Sequence, residues 1–155
     1  MRNLRNIGLI LLIYMLITEC KSPQSMLSQG IAQGISGLVL WYEGDLMPGI
    51  DKEPVEGKPI QREIYIYKAT TMEQAEAHEG TFYSNISTEL VLTTSSDEDG
   101  KFIVALDPGT YSVFVKESQG LFANRFDQGG IINPVTISQN ELVSLSIRVD
   151  YKAAY

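Results

Sequence analysis

A chain of 155 residues, 44% of them apolar, can build one domain with a continuous core and is too short for two comfortable ones. Twelve basic residues stand against nineteen acidic ones, a net charge of −7, and no Lys or Arg cluster occurs, so nucleic acid is excluded as a partner. With one histidine and one cysteine, the chain also lacks the ligand set of a zinc hydrolase.

The chain opens with a positive segment, Arg2 and Arg5, followed by the apolar run Ile7 to Ile17 (IGLILLIYMLI), which is too short to cross a bilayer and reads as an export signal. Leu16-Ile17-Thr18-Glu19-Cys20 follows. It resembles a bacterial lipoprotein box, which implies cleavage before Cys20 and acylation of its thiol, although Glu19 stands where that pattern has a small residue. Acylation also accounts for an unpaired cysteine in an exported chain. Residues 1–19 are therefore expected to be a signal peptide, leaving 136 residues with a charge of about −8. Lys21 and Ser22 include no aspartate of the inner-membrane retention type, so the outer membrane of a Gram-negative envelope is the expected location. Residues 20–34, rich in Ser, Gln and Gly, are expected to be a flexible tether spanning roughly 20 Å.

Residues 35–155 read as strands. Ile35–Tyr42 (ISGLVLWY), Arg62–Lys68 (REIYIYK) and Glu89–Thr94 (ELVLTT) are rich in β-branched and aromatic residues. Gly100–Leu106 alternates Phe102, Val104 and Leu106 on one face, and Thr110–Lys116 sets Tyr111, Val113 and Val115 against Ser112, Phe114 and Lys116. Val135–Ser138 is short. Leu142–Asp150 has the cleanest period of two, Val143, Leu145, Ile147 and Val149 opposing Ser144, Ser146, Arg148 and Asp150. Between the second and third strands, Thr70 and Glu73 have capping-box spacing, and Gly80 supplies a left-handed stop, so one short helix is expected over MEQAEAHE. The fold class is all-β: a seven-stranded Greek-key β-sandwich with that helix as its one interruption.

Ser95-Ser96-Asp97-Glu98-Asp99-Gly100-Lys101-Phe102, then Leu106-Asp107-Pro108-Gly109-Thr110-Tyr111-Ser112-Val113, encodes two tight turns, one at Asp99-Gly100 and one at Pro108-Gly109, both expected to close hairpins. The string resembles carboxypeptidase regulatory-like domains, whose pattern runs T-x-x-D-G-x-F then L-x-P-G-x-Y-x-V on a transthyretin-like sandwich. Ile35–Val39 resembles that family's opening strand and Lys58-Pro59-Ile60 with Ile64–Tyr67 its second; coverage is about residues 35–150. The whole chain also looks like small stand-alone lipoproteins of Bacteroidetes-like bacteria. The resemblance implies an accessory or envelope module with no peptidase domain and no cofactor. Transthyretin-like hydroxyisourate hydrolases give a remote enzymatic alternative, but their histidines and terminal Tyr-Arg-Gly-Ser are absent, with Tyr151-Lys152-Ala153-Ala154 in that place. The connections Glu43–Gly57 and Ala69–Thr88 are longer than the family's compact version, so recognition is expected to reside in them.

Candidate sites are sparse. His78, among Glu73, Glu76 and Glu79, reads as part of a solvated helix face, and no nucleophile elbow or phosphate loop occurs. Asp97-Glu98-Asp99-Gly100 has a calcium-loop look, but counting from Gly100 puts Leu106 where a bidentate acid is required. Because alternate connections of an antiparallel sandwich share an end, Glu43, Asp45, Asp51, Glu53 and Glu56, then Asp97 to Asp99, then Glu117 and Asp127 are expected to form one acidic rim facing away from the tether. Asp97, Asp99 and Asp127 are its candidate weak cation site. Tyr65, Tyr67 and Phe114 have outward parity, which suits either a sugar-stacking stripe or packing beneath neighbouring loops, the bulk of such residues doing the latter. The function expected is a lipid-anchored, non-catalytic envelope module binding a protein or glycan, with a structural subunit of an envelope assembly as the alternative.

Overall fold

The computed structural model describes residues 30–50 and 53–155; the expected signal segment with Arg2 and Arg5, Cys20, most of the expected tether, and Asp51 lie outside the described residues. Every strand expected from alternation is present: β1 (Gly34–Asp45), β3 (Glu63–Lys68), β6 (Leu90–Ser95), β7 (Lys101–Ala105), β8 (Gly109–Glu117), β10 (Pro134–Ile137) and β11 (Leu142–Ala154). Four short strands occupy the connections between them: β2 (Lys58–Pro59), β4 (Glu76–His78), β5 (Phe82–Ser84) and β9 (Gly120–Phe122). The result is an all-β sandwich of a four-stranded and a seven-stranded sheet.

In the smaller sheet, β1 lies between β11, to which it is parallel from Gly34↔Leu142 onward, and β7, to which it is antiparallel; β2 adds to β1 at Leu40 and Trp41. In the larger sheet the path is β4-β5-β9-β8-β3-β6, with β10 also against β8. Neighbours come from distant stretches of chain, as Greek-key connections require. The alternation of β1, β8 and β11 sends Ile35, Val39, Tyr111, Val113, Val115, Leu145, Ile147 and Val149 into one core between the sheets. Each such aliphatic side chain contributes roughly 1.5–3 kcal/mol when removed from water.

Both turns of the Asp-Gly and Pro-Gly motif form, but neither closes a hairpin. Each carries the chain across the sandwich, β6 to β7 and then β7 to β8, from the larger sheet to the smaller and back. Turn chemistry sets the reversal of the chain and leaves the choice of sheet to packing. At the first bend Gly100 has φ +73° and donates its N–H to Asp97, while its carbonyl accepts the Val39 N–H. A Cβ at this position would stand 2.5 Å from the Val39 oxygen, so only glycine fits. At the second, buried Tyr111 donates its hydroxyl to the Asp107 carbonyl at 2.9 Å, tying the bend to the strand that follows it.

The expected helix is reduced to one 3-10 turn, Met72–Gln74, capped one residue later than the spacing suggests: Thr71 N–H donates to Gln74 Oε1 at 3.0 Å, while Thr70 is buried against Ser112 and Thr88. The rest of the run is a β4–β5 hairpin. MEQAEAHE has no apolar stripe at helical spacing, so a helix would have nothing to pack with. Extending the chain instead brings Phe82 and Tyr83 into the interior. Gly80 is left-handed as expected (φ +78°), but together with Glu79 (φ +49°) it turns a hairpin.

This hairpin and β9 extend the larger sheet, and their side chains, with the loop after β9, bury its outer face. Phe114, Tyr83, Leu121, Ala123 and Ile132 form a second buried cluster there, with Tyr65 and Tyr67 packed against it. Phe114 is fully buried and meets Tyr67 and Tyr83 edge-on, with centroids 5.7 Å away in each case. The outward aromatics are therefore a core in their own right. The domain also begins earlier than Ile35. Gln33, placed by composition in the tether, donates to the Leu106 carbonyl and accepts from Asn140, and Gly34 donates to the Glu141 carbonyl.

Candidate functional site

The alternation argument for a shared end holds for its three anchors. β1 and β11 run in the same direction and β7 against them, and the Arg62, Ser96, Glu117 and Tyr151 side chains meet at one end while Gly34 lies at the other. Three of the acidic groups gathered there are paired with a cation. Glu117 is buried, accepts from Arg62 Nε at 2.7 Å and from the Tyr151 hydroxyl at 2.9 Å, and is thus a structural charge. Glu43 faces Lys58 at 3.7 Å and Asp99 faces Lys101 at 3.5 Å, all exposed.

Asp127 does not join this rim. Its loop is hydrogen-bonded to Thr70 and Met72, beyond the end of β3 opposite Ser96. Asp127 Oδ1 accepts from the Gly129 and Ile131 N–H groups, and Asp97 Oδ1 accepts from Lys101 N–H, so both carboxylates stiffen their own turns. The cation site sketched from Asp97, Asp99 and Asp127 is not assembled: among the described residues no group of three or more His, Cys, Asp or Glu is placed to hold a metal. His78 is exposed on β4 rather than on a helix, with Nε2 2.6 Å from Ser84 Oγ. Cys20 lies outside the described residues. Among those described, no helix is long and apolar enough to cross a membrane.

What the structure does assemble lies on the flank of the sandwich, where β11 is the free edge of the smaller sheet and the β9–β10 loop belongs to the larger. A cleft of about 400 Å³ opens between them, lined by Asn124, Arg125, Asn133, Arg148, Asp150 and Tyr155 among others. Arg148 and Asp150 share the outward parity of β11 and pair at 3.0 Å; Tyr155 accepts from Arg148 Nη2 at 2.8 Å and donates to Asp150 Oδ2. Asn124 Nδ2 reaches across the flank to the Arg148 carbonyl (3.1 Å) and Asp150 Oδ1 (2.8 Å), joining the two sheets. The Arg148 guanidinium sits 4.1 Å from the Tyr42 ring centroid, and Gly57 packs so closely on the same ring that a Cβ would come within 2.5 Å of it. Burial opposes the Arg148 charge, but Tyr155 and Asp150 outweigh it and hold the guanidinium above its ordinary pKa. Burial, reinforced by Asp150, raises the Tyr155 phenol in spite of Arg148.

Arg148 also borders a second depression, of about 270 Å³, beneath the first connection at Leu46–Gly49 and Glu53–Val55. Asp150 and Tyr155 border a third, of about 480 Å³, toward Glu79 and Lys152. The C-terminal half of β11 thus runs along a chain of contiguous hollows flanked by the connections between strands. Sequence alternation already put Arg148 and Asp150 outward, but Asn124 and Arg125 join them only through the packing of one sheet against the other, and Tyr155 through the course of the chain after β11, which no local pattern reports. An all-β sandwich with an open flank cleft is the class the fold and site define. Comparison with family models, with curated proteins and with solved structures finds no match for the chain.

Proposed function

We propose that this protein is a non-catalytic recognition module of carboxypeptidase regulatory-like type, anchored through an acylated Cys20 to the outer membrane of a Gram-negative envelope, which binds a protein or glycan through its long connections. The observation that carries the reading is the flank cleft. Its walls come from the β9–β10 loop and the free edge of β11, the long first connection borders the adjoining hollow, and its lining includes amide, guanidinium, carboxylate and phenol groups fixed by one another beside Phe122, Ala123 and Ile147. Such preorganised polar groups orient a ligand and lower the ordering cost of binding. The lipoprotein-like Leu16–Cys20 segment supports the anchor.

A second reading, a structural subunit of an envelope assembly, is favoured by Met47, Ile50 and Val55, which expose apolar side chains on the first connection, Ile50 fully. Purification from detergent-solubilised membranes, followed by a glycan array, separates the two. Stoichiometric protein partners support the scaffold; a monomer retained on glycans supports the recognition module; neither outcome would leave both readings without foundation. Fatty-acid labelling that persists in Cys20→Ala removes the anchor.

A further inference from the structure

The three arginines among the described residues are Arg62, Arg125 and Arg148. Arg62 is committed to buried Glu117, and the other two line the same cleft. Arg148 is neutralised by Asp150, whereas Arg125 meets no carboxylate among the described residues. Arg125 Nε and Nη2 both donate to Asn133 Oδ1, at 3.3 and 3.1 Å. Asn133 is itself buried, holds a left-handed backbone (φ +39°) and donates Nδ2 to the Val113 carbonyl at 2.6 Å. A core asparagine thus fixes the guanidinium by one edge, and the Nη1 N–H groups have no protein acceptor among the described residues. In a chain carrying −7 overall, this is a local positive charge placed beside fixed hydrogen-bonding groups.

We infer that the flank cleft is a binding site for an acidic sugar, with Arg125 receiving the carboxylate of a uronic-acid-type residue while Asn124, Asp150 and Tyr155 contact ring hydroxyls. This deepens the recognition reading above and rests on it. Three observations select that chemistry. The first is charge: with Arg148 balanced by Asp150, the cleft offers one uncompensated positive charge, which matches a monoanion, and Asp150 repels the second charge of a phosphate. The second is the strand edge. Asn124 Nδ2 occupies the Arg148 carbonyl on the free side of β11, so an extended peptide cannot add a strand there without displacing it. The third is the mixture of groups: the Asn124 amide oxygen and the Asp150 carboxylate as acceptors and the Tyr155 ring, 67% exposed, form the combination of polar edges and a flat apolar face that a sugar ring presents in return.

The test is titration of the full chain, by calorimetry, with carboxylated oligosaccharides (oligogalacturonate, alginate and hyaluronan fragments), the methyl ester of the oligogalacturonate, a neutral maltooligosaccharide and inorganic phosphate. At least one carboxylated probe is expected to bind, its ester or a neutral chain to bind at least tenfold more weakly, and phosphate to be a poor competitor. Arg125→Gln, its folding checked by circular dichroism and thermal melting, should lose about 10- to 100-fold, the worth of one charge-assisted pair. Arg125→Lys should recover part of that loss, and Lys116→Gln, on exposed β8 surface, should change nothing. No binding of any carboxylated probe, equal binding of ester and acid, phosphate competing on a par with the sugar, or an Arg125→Gln variant that binds like the parent each overturns the inference. If neutral glycans or a membrane protein are still bound in those cases, the recognition reading stands without it; if nothing is bound, both fall.

Discussion

Replacing Phe114 with alanine should destabilise the protein as a core truncation does, although its position on β8 points away from the space between the sheets. The ring is completely buried, with edge-on contacts to Tyr67 and Tyr83 at 5.7 Å. Losing its transfer free energy costs about 3 kcal/mol. Each aromatic contact adds about 0.5–1.5 kcal/mol, and partial collapse of Tyr67 and Tyr83 into the void returns some of this. The sum falls at about 3–5 kcal/mol, the usual range for a phenylalanine removed from a core. For a domain of this size that lowers Tm by roughly 10–20 °C. Urea unfolding followed by circular dichroism should show the midpoint falling with its slope preserved, and hydrogen exchange should quicken first in β5. Thr93→Ala, on the exposed face of β6, serves as the control and should stay within about 0.5 kcal/mol of the parent. A loss below about 1 kcal/mol in Phe114→Ala would mean that Tyr83, Leu121 and the β9–β10 loop do not pack on this face in solution, and the second core would have to be abandoned.

Gly100→Ala should cost about 1–3 kcal/mol or more, because φ is +73° and the new Cβ would press on the Val39 carbonyl; an unchanged urea midpoint would contradict the bend as described. Glu117→Gln should cost about 1–3 kcal/mol, near the low end for a broken buried pair because the Arg62 side chain is 34% exposed and can rehydrate; a double-mutant cycle with Arg62→Met that returns no coupling would rule the pair out as a contributor. Burial raises the phenol pKa of Tyr67, Tyr83 and Tyr151, and Glu117 adds to the rise at Tyr151. An acid whose folded pKa lies above its unfolded value contributes stability that is complete below the unfolded value and is lost as pH climbs through the folded one. Unfolding free energy should therefore decline from about pH 10 upward, with tyrosinate absorbance rising later in the folded protein than in urea; a decline that starts at neutral pH would point to other groups.

The parts of this fold that sequence made legible are those where one face of a strand is dry. β11 is the clearest case, since Val143, Leu145, Ile147 and Val149 alternate without interruption and the strand lies where alternation puts it. β8 was legible by the same period only on its inner face. The outer face, Ser112 and Phe114, is buried by chain from residues 70–88 and 120–133, and a period of two cannot say what folds back over it. Residues 72–79 mislead for a different reason: cap and stop residues mark a change of direction, and both a helix end and a hairpin use them. The Asp97–Gly100 and Pro108–Gly109 bends likewise give the local geometry without saying that the chain changes sheet. The acidic rim was legible as an end of the sandwich, but Asp127 departs from it because the fifth connection doubles back to Thr70. The flank cleft was not legible at all, for Asn124, Arg125, Arg148 and Tyr155 are neighbours only once β11 is seated beside β1.

That seating also orders the assembly of the domain in time. β1 offers its Gly34–Leu38 stretch to β7 on one side and to β11 on the other, and the second partner emerges from the ribosome after every other described strand. Until then β1 is an unguarded ribbon edge, open to pairing with any extended chain nearby. Closing it requires joining segments from the two extremes of the domain, so folding should be slow and all-or-none, and a chain of this topology gains from a holdase that keeps it unfolded until the last strand arrives.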